Sequence, residues 1–370
     1  MPHAHPLDGI DLRARVQQAL DLHLDRQREV LAELGEPMGP LVDAVADLLS
    51  GGKRLRAAFL YWGWRALGGS GTPLSDDLDE AAVRAASSME IFQAAALLHD
   101  DVMDNSDLRR GRPTAHRAFA TLHRENGWNG DPVRFGHSAA ILAGDLCLNW
   151  TDEVFTTSGL PQEALERARP ELDRMRTQLM GGQFLDVLEG ARGWQDLSYA
   201  QRLDACRTVI RHKSARYSVQ QPALIGARAA GAQPPTLEAL ARYGDRLGEA
   251  FQLRDDVLGV FGDPDETGKP AGDDLREGKH TVLIAHALEH ADDPGAELVA
   301  ASLGDPDLDD ATVTDCRQVL LGSGAVELTE QMITEGAQDA LAALDAAPEL
   351  TDEGRHALTE LITICTDRDT

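Results

Sequence analysis

Two short aspartate-rich segments contain the residues of this chain best suited to chemistry. They are His99-Asp100-Asp101-Val102-Met103-Asp104 and Arg254-Asp255-Asp256-Val257-Leu258-Gly259, and each ends an apolar, helix-periodic stretch. Asp100 and Asp104 are four residues apart and would share one face of a helix. Carboxylates crowded near apolar surface repel one another and resist ionisation unless a cation lies between them.

The density of hard oxygen ligands in these segments suits Mg²⁺, which takes one or two carboxylates, several waters and phosphate oxygens. The two segments therefore predict a diphosphate held by metal. The alternative is that two solvated acidic helix ends resemble each other by chance, because short acidic motifs give many false positives.

Basic residues around both acidic segments favour the diphosphate interpretation. Gly51-Gly52-Lys53-Arg54-Leu55-Arg56 comes before the first segment, and Arg109-Arg110-Gly111-Arg112 follows it directly. Thr267-Gly268-Lys269-Pro270 and Asp273-Asp274-Leu275-Arg276-Glu277-Gly278-Lys279 follow the second, in a Gly/Pro-rich stretch that predicts a loop. Lys and Arg side chains beside metal-binding carboxylates suit recognition of phosphate oxygens. We expect this loop to fold over a bound diphosphate and bring Lys269 onto it.

From about Leu41 to Thr281 the chain resembles the trans-isoprenyl diphosphate synthases, the polyprenyl synthetase family. Besides the motifs above, the resemblance rests on Gly181-Gly182-Gln183-Phe184-Leu185-Asp186, Lys213-Ser214 and Phe251-Gln252-x-x-Asp255-Asp256, all in family order. Gly259 is a departure, because many members carry a third aspartate there; the resemblance implies that this acid is the most dispensable. It also implies an all-α fold, a single large helical bundle of the isoprenoid synthase type with a deep central cavity.

The resemblance, with the residue types, assigns roles to individual positions. We expect three aspartates to bind Mg²⁺ directly: Asp100, Asp104 and Asp255. Four side chains are expected further from the metal: Asp101, Asp256, Asp186 and Gln183. The allylic diphosphate is assigned to Arg109, Lys213 and Lys269, and isopentenyl diphosphate to Lys53, Arg56, Gln93 and Arg110. The carbonyl of Lys213, together with Ser214 and Gln252, is expected to face an allylic cation as a set of dipoles.

These roles describe a prenyltransferase of isoprenoid biosynthesis. An allylic diphosphate ionises once metal and cationic side chains neutralise the developing negative charge, and such electrostatic stabilisation is usually the largest catalytic term. The double bond of isopentenyl diphosphate then attacks the cation. The released diphosphate is expected to take the proton in the final elimination, so no dedicated protein base is sought.

The helix that ends at Asp100 also suggests a product length. Short-chain relatives commonly close the product tunnel with aromatic residues four or five positions before the first aspartate, where this chain has Ala96 and Ala95. Phe92 is the next bulky side chain, about 6 Å beyond Ala96 along a helix, which leaves room for roughly one more five-carbon unit. This favours geranylgeranyl diphosphate. If Phe92 instead points into the helix core, the product could be longer; farnesyl diphosphate is the shorter alternative.

Three other classes of protein share some of these features. A class I terpene cyclase has no need of a second diphosphate site, so residues 51–56 and Arg109-Arg110 argue against it. A noncatalytic prenyltransferase subunit should have lost an acidic motif. A purely structural helical protein would have no reason to place Lys213 and Lys269 around the acids.

The elements that must position these residues are predicted to be helices almost throughout. Leu12, Val16, Leu20 and Leu24 form an amphipathic stripe. Further helices are predicted over 83–103, 161–187, 199–225 and the Ala/Asp/Glu/Leu-rich segment 292–370, with loops at 68–73, 125–132, 233–235 and 263–278. We predict one all-α domain over residues 1–370, with a core of about 41–281, a disordered tail at 1–9, and the acidic helix ends facing each other across a cavity. His99 is expected to hydrogen-bond an aspartate, Asp145 to cap or bridge helices, and Tyr217 to pack.

Composition narrows the possible partners and location. With 35 Lys and Arg against 62 Asp and Glu, the formal net charge is −27, which argues against nucleic acid or an anionic membrane as a partner. Cys147, Cys206, Cys316 and Cys365 form no CxxC pair and are expected to be reduced thiols of a cytoplasmic protein. The chain has neither a signal-like start nor an apolar run of about 18 residues, so no membrane span is expected. The family resemblance implies a homodimer.

Overall fold

The computed structural model describes residues 7, 10–67, 75–194, 196–262 and 272–367 of the chain. Within these residues the secondary structure is helical apart from one two-stranded sheet, which confirms the predicted all-α fold. The chain divides into two compact units, residues 1–168 with 226–231 (unit 1) and residues 169–225 with 232–370 (unit 2). Two of the three unit boundaries, at 168/169 and 225/226, fall within helices.

Unit 1 is built around one long helix. Its elements are α1 (Leu12–Ala32), a 3₁₀ turn (Glu36–Met38), α2 (Gly39–Leu49), α3 (Leu55–Arg65), α4 (Asp76–Met103), β1 (Leu108–Arg109), β2 (Arg112–Pro113), α5 (Ala115–Glu125), α6 (Pro132–Thr156) and the start of α7 (Gln162–Arg192). Helix α4 packs against α1, α3 and α6, and α5 packs against α6. Helix α4 is therefore the central element that carries the first acidic segment.

The sequence of α4 explains both its start and its burial. Ser75 caps the helix by accepting a hydrogen bond from the Leu78 backbone N–H at 3.3 Å. Three aspartates in the first turn favour the positive end of the helix dipole. The following stretch of small and apolar residues is mostly buried, because neighbouring helices cover it on several sides. The last turn of α4, which contains Asp100, therefore differs from the buried, apolar part of the helix before it because it carries carboxylates.

Unit 2 is built around a second long helix. Its elements are the rest of α7, α8 (Tyr199–Val209), a π-helix (Ile210–Gln220), α9 (Gln221–Ala230, ending in unit 1), α10 (Pro234–Phe261), α11 (Asp273–Arg276), α12 (Val282–His290), α13 (Asp293–Ser302), α14 (Asp310–Gly322), α15 (Ala325–Asp345) and α16 (Asp352–Thr366). Helix α10 packs against the π-helix, α15 and α16. The bidentate pair between Arg254 and Glu330, at 2.5 and 2.7 Å, joins α10 to α15.

The structure corrects three details of the predicted elements. The helix predicted over 199–225 is divided into α8, the π-helix and part of α9. The prolines in the predicted loop 233–235 instead begin α10, because the first turn of a helix tolerates proline. Of the predicted loop 263–278, residues 263–271 lie outside the described residues and Asp273–Arg276 form one helical turn.

Other predictions on these elements have mixed outcomes. The helices predicted over 83–103 and 161–187, the stripe at the start of the chain and the helical segment after 292 are confirmed. The loop at 68–73 and, apart from Leu7, the predicted tail 1–9 lie outside the described residues. All four cysteines are free and buried. No helix in the described part of the chain has both the length and the apolar character needed to cross a membrane. The assignment of residues 1–370 to one domain stays a prediction.

Candidate active site

The first acidic segment lies at the carboxyl end of α4 in unit 1. Asp100 and Asp104 are half-buried, and the Asp104 backbone N–H caps the helix by donating to the Asp100 carbonyl at 2.8 Å. The carboxyl end of a helix carries partial negative charge, which disfavours further carboxylates there. A hard cation bound by the carboxylate oxygens of Asp100 and Asp104 would offset this unfavourable charge. The residues present therefore fit Mg²⁺.

Asp101 points the other way, into unit 1. It is 1% exposed, and one of its oxygens, Oδ1, accepts a hydrogen bond from Arg109 Nε at 2.8 Å and forms an ion pair with Arg109 Nη2 at 2.6 Å. This charge-assisted contact fixes strand β1 against the end of α4. Asp101 therefore holds the basic hairpin in place. Its expected position away from the metal stays a prediction.

The Arg-rich segment after α4 forms a hairpin. Arg109 of β1 pairs with Arg112 of β2, and the two-residue loop between them, Arg110-Gly111, has φ values of 54° and 71°. A two-residue hairpin loop of this type needs positive φ at both positions, and arginine rarely adopts it. The Arg110 side chain reaches the loop after α2, where its Nη1 donates to the Ser50 carbonyl at 3.5 Å.

The basic loop, residues 50–54 together with the first two residues of α3, is held in place by the buried side chain of Arg54. Arg54 and Glu90 of α4 form a buried ion pair at 3.4 Å, with side chains 4% and 5% exposed. The other Glu90 oxygen accepts from the Ala57 backbone N–H at 3.0 Å and so caps the first turn of α3. Arg54 also donates to the Leu49 carbonyl and to Gln17. This pair could not be distinguished in the sequence, because Arg54 and Arg56 are the same residue type within one short motif.

The two basic segments form one positive cluster in unit 1. Partial burial lowers the pKa of Arg110, and the positive charges of Arg54 and Arg109 lower it further. Gly52 lies beside the Arg110 guanidinium: a Cβ on Gly52 would be 3.4 Å from Arg110 Nη2. Lys53 is exposed and Arg56 half-buried. The positive charges of this cluster repel one another, and a bound anion would reduce that repulsion.

In unit 2, three elements bring the second group of predicted residues together. Lys213 of the π-helix donates from Nζ to Asp186 Oδ2 of α7 at 2.6 Å. An added Cβ on Gly182 of α7 would lie 2.3 Å from the His212 carbonyl carbon, and one on Gly248 of α10 would lie 2.7 Å from Ala215 Cα. Both helices thus approach the π-helix backbone too closely for any other residue. π-Helical turns occur frequently at functional sites.

A chain of hydrogen bonds leads from the π-helix to the second acidic segment. Ser214 Oγ donates to Gln252 Oε1, and Gln252 Nε2 donates to Asp256 Oδ1 at 2.8 Å. Burial raises the pKa of Asp256 to about 7; the Gln252 hydrogen bond opposes this shift, while the charges of Asp274 and Asp255 increase it. Asp255 itself is half-buried on α10. Here too, carboxylates lie close together in surroundings that favour a cation.

Some polar residues contact partners that the sequence could not specify. His99 does approach an aspartate, but it is Asp145 of α6, at 3.5 Å from Nε2, and Nε2 lies 3.1 Å from the Ile141 carbonyl. Tyr217 is buried, as expected of a packing residue. The Nζ of Lys279 lies 3.0 Å from Asp274 and 2.6 Å from Glu277. Burial opposes its charged form, but these carboxylates hold the pKa of Lys279 well above the ordinary value.

The predicted residues thus form two groups. Unit 1 contains the first acidic segment and the basic residues predicted around it: Asp100, Asp101, Asp104, Arg109, Arg110, Lys53, Arg56 and, on the Asp100 face of α4, Gln93. Unit 2 brings together Lys213, Ser214, Gln252, Asp255 and Asp256. Lys269 lies outside the described residues. That the two acidic segments face each other stays a prediction.

Of the predicted chain-length residues, Phe92 and Ala95 are buried on α4, 1% and 0% exposed, and Ala96 is half-buried. At 100° per residue, Ala96 projects about 40° from Asp100 and Phe92 about 80°. Ala96 therefore lies closest to the direction of the aspartate. The role of these residues in chain length stays a prediction.

A helical fold with two acidic motifs, flanked by basic clusters, defines an enzyme that acts on diphosphates. Residues 40–320 match the family model for polyprenyl synthetase. The chain is 32% identical over 329 residues to the geranylfarnesyl diphosphate synthase of Natronomonas pharaonis, covering 86% of this chain and 87% of that protein. It is 33% identical over 257 residues to the geranylgeranyl diphosphate synthase of Sulfolobus acidocaldarius, covering 69% and 68%.

Solved structures agree. A geranylgeranyl pyrophosphate synthase from Corynebacterium glutamicum, crystallised with isoprenyl diphosphate and magnesium, is 40% identical, with a TM-score of 0.90 over 96% of this chain and 98% of that one. This chain belongs to the polyprenyl synthetase family and is a trans-prenyltransferase. The family resemblance inferred from the sequence is therefore confirmed.

Proposed function

We propose that this enzyme condenses isopentenyl diphosphate with an allylic diphosphate in the presence of Mg²⁺, and that its product is geranylgeranyl diphosphate. The observation that carries the proposal lies in unit 1: the end of α4, which carries Asp100 and Asp104, is joined through Asp101 to Arg109 of the basic hairpin. Arg110 of the same hairpin lies in the electrostatic field of Arg54, Arg109 and Arg56. Carboxylates can supply ligands to the metal and guanidinium groups can donate to phosphate oxygens, which are the two halves of a metal–diphosphate site.

In this proposal each group of residues has a separate task. Asp100, Asp104 and Asp255 would hold Mg²⁺, which when bound neutralises the charge that develops on the leaving diphosphate. Arg109 and Lys213 bind the same diphosphate, and Lys269 is proposed to join them. The remaining basic residues with Gln93 hold isopentenyl diphosphate: Lys53, Arg56 and Arg110. Two diphosphate sites on one chain favour a synthase over a terpene cyclase.

The hydrogen-bond chain of unit 2 supports the proposed role for Gln252. Its amide is held at both ends, by Ser214 on the oxygen and by Asp256 on the nitrogen, so its dipole is fixed before substrate binds. A preorganised dipole stabilises developing charge without the cost of reorientation. Ser214 and Gln252 are therefore suited to face the allylic cation, with the Lys213 carbonyl in the same π-helix.

The proposed product length has support from relatives and from α4. The Corynebacterium glutamicum and Sulfolobus acidocaldarius relatives are named for the twenty-carbon product, and the Natronomonas pharaonis relative for one five-carbon unit more. All three exceed the fifteen-carbon farnesyl product, in keeping with the small Ala95 and Ala96 at the positions where short-chain relatives carry aromatic residues. Longer products are the second candidate, if Phe92 does not form the end of the tunnel.

The proposal is tested by incubating the purified protein with Mg²⁺, isopentenyl diphosphate and one allylic primer at a time: dimethylallyl, geranyl or farnesyl diphosphate. Products are dephosphorylated and separated by chromatography against standards. We expect both substrates to be consumed and the twenty-carbon product to dominate. Consumption of the primer alone would instead indicate a cyclase, and consumption of neither would indicate a noncatalytic subunit.

We further propose that the enzyme is a cytoplasmic homodimer. Its net charge of −27 and its buried, free cysteines suit a reducing, aqueous compartment. Light scattering coupled to size-exclusion chromatography should give a mass of twice the 40.0 kDa chain. A monomer mass at micromolar concentration would contradict the dimer.

A further inference from the structure

The second acidic segment ends in a glycine whose missing side chain leaves a specific space. Gly259 is four residues after Asp255 on α10 and so lies on the same helix face. A Cβ on Gly259 would be 2.0 Å from Asp274 Oδ2 and 2.6 Å from Asp274 Cγ, far inside contact distance. The carboxylate of Asp274 therefore occupies the volume next to α10 that a side chain at position 259 would fill.

Asp274 does not belong to α10, and contacts made by its own element hold its side chain against Gly259. It lies on α11, which is anchored by the buried Leu275 and by Arg276 Nε, which donates to the Leu308 carbonyl at 3.0 Å. The other oxygen of Asp274 accepts from Lys279 Nζ at 3.0 Å, and the side chain is only 12% exposed. One oxygen thus satisfies Lys279, while the other lies against Gly259.

We propose that Asp274 supplies the third carboxylate of the second acidic segment, and that Gly259 is required to leave room for it. The inference rests on the proposed function, because it concerns binding of Mg²⁺ and diphosphate at the same site. Asp274 would act beside Asp255 and Asp256, on the metal or on its bound waters, since Mg²⁺ usually keeps several waters when it binds protein. The aspartate that many family members carry at position 259 is then not lost from the site, because Asp274 supplies a carboxylate in its place.

The proposal makes an unusual prediction about Gly259→Asp. By the sequence pattern alone, this substitution completes the motif and should be neutral or favourable. In this structure it places a second carboxylate where Asp274 already lies, so each would displace or repel the other. Gly259→Asp alone should therefore weaken metal binding, and Asp274→Ala alone should do the same by removing the acid. The double variant has a single carboxylate in this space, contributed by position 259, and should therefore recover metal binding.

The experiment titrates Mg²⁺ calorimetrically into the full chain in the presence of inorganic diphosphate, so that the result does not depend on turnover. Residues that support metal ligands typically contribute ten- to hundredfold in metal affinity. We expect the apparent Kd for Mg²⁺ to rise roughly tenfold or more in Gly259→Asp and in Asp274→Ala, and to recover to within about threefold of wild type in the double variant.

Gly322 provides the matched control, because an added Cβ there on α14 meets no atom within 4 Å. Gly322→Asp adds the same charge to a helix and should leave the Kd unchanged. Asp274→Asn keeps the shape of the side chain without its charge and is the alternative should Gly259→Asp fail to fold, as judged by circular dichroism. It should bind Mg²⁺ as weakly as Asp274→Ala.

The outcomes separate this inference from the proposed function. If wild type binds Mg²⁺ with diphosphate but both Asp274 variants bind it equally well, the inference is wrong and the function stands. A double variant that binds as weakly as the single variants would also overturn it, because Asp274 would then act only through Lys279. If wild type itself shows no Mg²⁺-dependent diphosphate binding, the proposed function fails.

Discussion

The substitution Glu90→Gln tests whether the buried pair beneath the basic loop positions the isopentenyl diphosphate site. Glu90 accepts from Arg54 and from the Ala57 backbone, and neither acid nor guanidinium has appreciable access to solvent. Breaking a buried ion pair typically costs 3–5 kcal/mol, because one charge is left uncompensated. Arg54 keeps its contacts to the Leu49 carbonyl and Gln17, and glutamine can still accept from Ala57. We therefore expect a loss at the lower end, about 3 kcal/mol.

The same substitution at Glu80 is a matched control on the same helix. Glu80 pairs with Arg15 at 2.7 Å, but its side chain is 51% exposed, so the pair is screened by solvent. Exposed pairs contribute at most about 1 kcal/mol. Urea denaturation should therefore show a clearly larger decrease in the free energy of unfolding for Glu90→Gln than for Glu80→Gln.

Steady-state kinetics then test positioning rather than stability alone. Loss of one well-placed charge-assisted hydrogen bond from Lys53 or Arg56 corresponds to about 1.5–3 kcal/mol, or roughly ten- to hundredfold in binding. We expect the KM for isopentenyl diphosphate to rise by that factor in Glu90→Gln, with the KM for the allylic primer unchanged. Equal increases in both KM values, or none, would refute the positioning argument. A loss of stability no greater than that of Glu80→Gln would refute the account of the buried pair.

Three further predictions follow from the same structure. Asp100→Ala should lower turnover by roughly two or more orders of magnitude while helix content by circular dichroism is retained, since a transition-state charge clamp is lost; near-normal turnover with Mg²⁺ would contradict the metal assignment. Phe92→Ala should lengthen the products and Ala95→Phe should shorten them, as read by chromatography; unchanged products from both would remove the tunnel argument. His23 is 2% exposed with Trp150 edge-on at 5.6 Å, and burial lowers its pKa to about 4. Because the folded protein favours neutral His23, stability should be full above pH 6.5 and fall by about 3 kcal/mol as the pH drops towards 4. His23→Leu should lessen that loss in urea titrations at each pH, and an identical pH profile would contradict it.

The sequence alone determined the features that depend on local patterns. Helical periodicity shows in short windows, so the stripe beginning at Leu12 and the helix ending at Asp100 could be predicted without knowledge of their neighbours. The acidic segments and the basic residues around them are close together along the chain, so their chemistry could be inferred from residue type and spacing. The family could be identified for the same reason, because its motifs are short and occur in a fixed order.

The tertiary structure decided which residues of a motif are buried and which partners they contact. Arg54 and Arg56 are two residues apart, yet Arg54 is buried on Glu90, 36 residues away, and Arg56 is only half-buried. Asp100 and Asp101 are neighbours, yet only Asp101 is turned inward onto Arg109. Asp274 fills the space beside Gly259, although the pattern shows an acid missing there. Burial and contact between such residues depend on how packed helices bring distant parts of the chain together, and residue spacing does not contain that information.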